Sequence, residues 1–186
     1  MTENADQPED APQQQGGREQ AARRRRARLY AVQALYQALM TDAPLDTILR
    51  TQQRERLVDD EGEGEGEASD GVAGDLGDPD GELMAAVVRG AVARRDELDD
   101  MVAGCLSDNW PLDRLETVLR LILQAGAWEL LARPEVPAKV VIEEYVELAK
   151  AFFDGGEPGM VNAVLDSMAR VLRDDLGEDG HDGHAA

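Results

Sequence analysis

The stretch from Leu112 to Leu131 places apolar residues on most sides of a helix: Leu115, Val118, Leu119, Leu121, Ile122, Leu123, Ala125, Trp128, Leu130 and Leu131. A helix that is apolar nearly all round must be covered nearly all round. Lipid is not the cover: Arg114, Glu116, Arg120 and Glu129 interrupt the run, and no segment of the chain reaches the roughly 18–20 uncharged residues that span a bilayer. The stretch therefore reads as the central helix of a bundle. Everything else that can fold has the complementary pattern, apolar on one stripe only.

A first helix is expected from about Ala21 to Met40, with Leu29, Val32, Leu35, Tyr36 and Leu39 on one stripe. Thr41-Asp42-Ala43-Pro44 stops it and starts a second, with Asp42 as cap, carrying Leu45, Ile48, Leu49, Leu57 and Val58. Met84, Val87, Val88, Ala91, Leu98, Met101, Val102 and Cys105 recur at three and four. After the central helix, Arg133-Pro134-Glu135-Val136-Pro137 makes a turn. Val140, Val141, Tyr145, Val146, Leu148, Ala149 and Phe152 mark another helix, which Gly155-Gly156 ends. Pro158 opens the last, with Val161, Val164, Leu165, Met168 and Leu172. No segment alternates with period two for long enough to make a sheet, and there is no internal repeat. The expected class is all-α.

Charge divides the chain. Segments 1–17, 59–82 and 174–186 hold 20 of the 39 acidic residues and none of the 19 basic ones. These compositions bury too little apolar surface to offset chain entropy. Residues 1–20 and 174–186 are thus expected as disordered acidic tails, and 59–82 as a flexible acidic insertion within a folded domain spanning 21–173. The net charge of −20 argues against nucleic acid only until its distribution is read. Within the folding part, 18–58 is net positive and 83–173 net negative, so one end of the domain is basic.

That basic end is concentrated between Arg23 and Arg28, Arg-Arg-Arg-Arg-Ala-Arg. Cations at the N-terminal end of a helix oppose its dipole, at a cost of roughly 0.3–1 kcal/mol each before screening. An anion brought there removes the penalty, and clustered arginines fit phosphate. Helical spacing puts Arg24 and Arg28 on one face and Arg25 near the apolar stripe. Few Asn or Gln follow the basics, which leans toward single-stranded RNA rather than a DNA groove. The acidic insertion could fold back on these arginines as an RNA mimic; a solvated loop is the plainer reading.

Sites for catalysis are hard to find. His181 and His184 lie in the acidic tail, Cys105 is the single cysteine, and no Gly-rich loop sits between a strand and a helix. Glu143, Glu144 and Glu147 beside Lys139 and Lys150 read as an ordinary charged helix face. No catalytic residue, metal or cofactor is expected. No signal-peptide-like stretch opens the chain, so a cytoplasmic protein without membrane attachment is the expectation.

Five separated blocks, in order, resemble the bacterial transcription antitermination factor NusB family. Arg24-Arg25-Arg26-Ala27-Arg28 followed by Ala34-Leu35-Tyr36 resembles its opening. Trp110 to Leu131, with Arg114, Leu115, Arg120, Trp128 and Glu129, resembles its central motif. Pro134 to Val140, Glu147 to Lys150 and Val161 to Asp166 match three further blocks. The likeness covers roughly 23–58 and 83–173. It implies a fold of two small packed helical bundles and a non-enzymatic protein. Its expected partners are boxA RNA of ribosomal RNA operon leaders, the ribosomal small-subunit protein NusE, and the RNA polymerase antitermination complex. It also implies that Arg23, Arg24, Arg25, Arg26, Arg28 and Tyr36 contact RNA, and that Tyr36, Leu119 and Arg120 contact the partner protein. Leu119 stands where an acid is usual in the family, Gln124 where an arginine is usual, Glu143 for Asn or Asp, and Ala163 for Gly. A helical adaptor whose arginines grip an acidic protein is the alternative. A similar domain precedes ribosomal RNA cytosine methyltransferases, but those need a nucleotide-type α/β domain and catalytic cysteines that this chain lacks.

Overall fold

The structure, a computed structural model, describes residues 11–41, 43–59, 78–107 and 110–173. Those residues form seven α-helices: α1 (Ala11–Met40), α2 (Leu45–Asp59), α3 (Gly81–Ala93), α4 (Arg95–Cys105), α5 (Thr117–Ala132), α6 (Ala138–Lys150) and α7 (Glu157–Leu172), with a 3-10 turn at Leu112–Arg114. There is no strand among them.

The all-round apolar helix is central, as expected. From Leu121 to Leu130 every residue of α5 is buried. Around it α1 and α3 pack on one side, with α2 against α1 and α3; α4, α6 and α7 pack on the other. Two groups of helices thus share one core along α5. Close approach of α3 to α5 depends on Gly90: an ideal Cβ there would lie 1.8 Å from Nε1 of Trp128. On the far side Gly126 does the same for α7, since its Cβ would stand 2.9 Å from Cδ1 of Leu165.

Three boundaries differ from expectation. α1 starts at Ala11, so residues 11–20 are helical rather than part of a disordered tail. Extending a helix already anchored by packing costs far less than nucleating one, and the glutamines of 11–20 tolerate it, with Pro12 in the first turn, although Gly16 and Gly17 cost about 1 kcal/mol each. The 84–105 stripe breaks at Arg94 (φ −121°, ψ 23°), whose guanidinium forks Glu97 at 2.7 Å twice. The central helix begins at Thr117, not Leu112. Leu112 and Leu115 lie against the core from a 3-10 turn and extended residues (Leu115 ψ 139°, Glu116 ψ 144°). Apolar spacing of three fits either conformation. The expected cap Asp42, most of the 59–82 insertion, residues 1–10 and the 174–186 tail with its histidines lie outside the described residues.

The chain end of the described part is tied down by Arg173. Its guanidinium donates to the carbonyls of Leu130 (2.8 and 2.6 Å), Glu129 (3.2 Å), Arg133 (3.0 Å) and Val136. These are the last carbonyls of α5 and those of the following turn, where helix partial charge is negative.

Candidate nucleic-acid interface

The five arginines share one helix but not one environment. Arg23, Arg24 and Arg25 are exposed, Arg26 is half-buried, and Arg28 is only 4% exposed. Ala27, Ala31, Val32, Ala34 and Leu35 form the buried side of α1, and Arg28 falls on that side.

Arg28 reaches through to α5 and α6. Its Nε donates to Glu129 Oε2 at 3.0 Å and Nη2 to Oε1 at 2.6 Å, a two-pronged pair with a fully buried carboxylate. Nη1 donates to Glu144 Oε2 at 3.2 Å. The Tyr145 hydroxyl donates to Glu129 Oε2 at 3.0 Å, and the Tyr145 ring lies 6.0 Å from the guanidinium. Burial alone would lower the Arg28 pKa; the Glu129 carboxylate outweighs it and holds the pKa above the ordinary value. Burial first, then the Glu129 charge, pushes the Tyr145 phenol well up, so it stays a neutral donor. Every group in this network is partnered, the condition under which a buried charge is tolerated.

Arg28 is therefore placed inside, a correction to its expected place among surface RNA contacts. The expected sharing of one face by Arg24 and Arg28 also changes: Arg25 and Arg28, three apart, both face carboxylates of α6. Arg25 Nη2 stands 3.5 Å from Glu147 Oε2, both side chains well exposed. Among the described residues Arg23, Arg24 and Arg26 have no ion-pair partner, and Nε of Arg26 is buried without a hydrogen bond. Cations elsewhere are mostly matched: Arg89 with Asp46, Arg120 with Asp99, Arg133 with Glu135, Arg170 with Asp166. The carbonyl of Arg23 accepts from the Asp80 backbone N–H at 3.0 Å, and the Asp80 carboxylate caps α3 by accepting from Leu83 N–H. The chain returning from the acidic insertion is thus tied to α1 beside the arginines.

Farther along α1 the surface becomes apolar. Tyr36, Leu39 and Met40 are 42%, 43% and 54% exposed, three and four residues apart. An open cleft of about 650 Å³ beside the end of α1 is lined by Ala38, Leu45, Val92 and the Arg94–Glu97 pair. A smaller one, about 240 Å³, brings Leu39 together with Arg95, Leu115, Arg120 and Gln124. Of the expected partner contacts, Tyr36 is therefore on the surface and Arg120 lines a cleft. Leu119 is 1% exposed and packed in the core, which removes it from any surface. Arg120 forks Asp99, with Nε donating at 2.9 Å, and Gln124 donates to the same carboxylate at 2.7 Å. Burial would raise the Asp99 pKa, but the Arg120 and Gln124 hydrogen bonds outweigh it and hold it below the usual carboxylate range.

The partners of Arg28 are not legible in the arginine cluster itself. An acid inside an otherwise apolar run, Glu129, was the available signal, because such a group demands a cation or donor from another element. The α6 carboxylates, by spacing an ordinary charged face, are not all directed to solvent: Glu144 and Glu147 turn toward α1. Among the described residues no group of three or more His, Cys, Asp or Glu is placed to hold a metal ion, and no helix is long and apolar enough to cross a membrane.

A family model described as the NusB family matches residues 25–170. The transcription antitermination protein NusB of Rhodospirillum rubrum is 44% identical over 175 residues, covering 90% of this chain and 93% of its own. That of Bartonella henselae is 43% identical, covering 82% and 90%. The solved structure of T. maritima NusB superposes with a TM-score of 0.59 at 27% identity, covering 79% of this chain and 90% of that one. The matched span takes in Arg25 to Arg28, the whole of α5 and the α6 carboxylates, the helical fold is that of the T. maritima structure, and the chain belongs to the NusB family.

Proposed function

We propose that this chain is an RNA-binding transcription antitermination factor that acts by binding rather than by catalysis. In this reading the exposed arginines of α1, Arg23, Arg24 and Arg25, with the half-buried Arg26 beside them, take the backbone of boxA RNA from ribosomal RNA operon leaders. NusE docks on the neighbouring surface that includes Tyr36, Leu39, Met40 and the cleft reaching Arg120. Together the two proteins bring RNA polymerase past terminators. The observation that carries the reading is the state of the arginines: four adjacent cations, three without an ion-pair partner among the described residues, on the same helix as an exposed apolar patch farther along. Unpaired arginines in a chain of net charge −20 are capacity for an external anion. Two binding surfaces on one rigid helix let RNA and protein partner reinforce each other, since each raises the effective concentration of the other.

The test is a titration of the whole chain with boxA RNA, scrambled RNA and the equivalent DNA, with and without NusE, at two salt concentrations. Arg24→Gln is expected to weaken boxA binding and to flatten the salt dependence by about 0.7, the signature of one lost phosphate contact on a single strand. An unchanged salt slope would overturn the assignment of Arg24. Tight NusE binding with no RNA preference at all would instead favour the adaptor reading.

A further inference from the structure

Two cations from different helices close on a single carboxylate at the edge of the arginine face. Glu147 of α6 accepts from Lys150 Nζ at 2.6 Å through Oε1, and Arg25 Nη2 of α1 stands 3.5 Å from Oε2. The side chains are open to water, with Arg25 57%, Glu147 44% and Lys150 56% exposed. One turn away on both helices, the inward pair of Arg28 with Glu144 and Glu129 fixes how far α1 and α6 stand apart. Arg25 and Lys150 are thereby held on either side of a gap one carboxylate wide. Exposed pairs of this kind are weak locks. A phosphate presents equivalent anionic oxygens, and a guanidinium takes it in the same two-pronged way.

We propose that this gap is a seat for one backbone phosphate of the bound RNA. Glu147 fills it in the free protein, and the phosphate displaces Glu147 to engage Arg25 and Lys150 together. The RNA path then leaves α1 and crosses onto α6, and α6 becomes part of the binding face. This deepens the RNA-binding reading above and rests on it.

Fluorescence anisotropy of labelled single-stranded boxA RNA against the whole chain at two salt concentrations tests it, using Glu147→Gln, Lys150→Gln and, as a charge control, Glu143→Gln. All three positions are exposed on α6, so the fold is retained, as circular dichroism checks. Glu147→Gln is expected to bind about 2- to 5-fold tighter, the worth of one exposed ion pair. Lys150→Gln is expected to bind more weakly by a similar factor, with the salt slope reduced by about 0.7, one phosphate contact on a single strand. Glu143→Gln makes the same charge change one turn along α6, at a carboxylate that pairs with neither Arg25 nor Lys150, and is expected to tighten binding clearly less than Glu147→Gln. The seat requires all three results. Equal tightening by Glu143→Gln and Glu147→Gln reduces the effect to long-range charge and overturns it, as does an unchanged Lys150→Gln. Either outcome, with wild-type binding that Arg24→Gln still weakens, leaves the arginine reading standing. A wild-type chain that does not bind RNA brings down both.

Discussion

Arg28 and Glu129 lie 101 positions apart in the chain and meet where no water reaches. A buried pair of this kind adds little net stability over an apolar replacement, but losing one member leaves the other charged and unpartnered. Arg28→Ala is expected to lower unfolding stability by about 3–5 kcal/mol, because Glu129 then keeps only the Tyr145 hydroxyl. Urea denaturation measures it, and a loss below about 1 kcal/mol would show that the carboxylate is rescued another way. The double replacement of Arg28 and Glu129 by Met and Leu should recover most of the loss. The same residue marks a limit of reading from sequence. The arginine cluster was plain, but its expected clash with the helix dipole falls away, because α1 begins at Ala11 and sets Arg23 three turns inside, beyond the first turn where the dipole acts. Which of five arginines turns inward was not plain, because the answer depends on an acid in another helix. Leu119 shows the converse: its apolar character signalled burial, and the family pattern signalled surface. Packing decided.

At the level of elements, the helix identities were legible because their apolar stripes are long and regular. Their ends were less so. α1 continues to Ala11 where composition predicted a tail, since propagation from a packed segment asks for little more than residues that tolerate a helix. The start of α5 slipped from Leu112 to Thr117 because a 3-10 turn and an α-helix share the spacing of their inward residues. Arg173 was invisible as a structural residue: it borders the acidic tail, and its acceptors lie on a turn some forty positions earlier. Its guanidinium satisfies the Leu130 carbonyl at the end of α5 and adds a second donor to the Glu129 and Arg133 carbonyls, which already accept backbone N–H groups. Removing charged hydrogen bonds of this kind costs roughly 1.5–3 kcal/mol, so Arg173→Ala should lower the midpoint of thermal unfolding measurably. Arg173→Lys should restore only part, because one ammonium cannot serve carbonyls spread over the planar fork. Identical melting of wild type and Arg173→Ala would mean that water satisfies those carbonyls equally well.

Across the whole molecule, two helical groups hold together through one shared helix rather than through separate cores. That arrangement was anticipated from the all-round apolar character of α5; how closely the neighbours approach it was not. Gly90 gave no signal in the sequence, yet it sits where α3 crosses the indole of Trp128. Gly90→Ala is expected to destabilise the protein by about 1–3 kcal/mol through overpacking, despite the better helix propensity of alanine. A shifted tryptophan emission should accompany it. An equal or raised melting temperature would mean that the indole moves aside freely. Charge, too, is organised at this scale. Acid dominates the segments that composition marks as unfolded, and the basic excess gathers on α1, so the same chain can carry strongly negative flanks and still offer a cationic end.

The inward arginine also acts as an index pin for the outward ones. Successive residues on an α-helix are turned by about 100°, so Arg28, seated in its socket, dictates the compass bearing of Arg23 to Arg26. Exchanging an outward arginine for lysine trims the grip and leaves the aim alone. Slipping one extra residue between Arg26 and Arg28 preserves every charge and swings the entire group a quarter-turn or more off target.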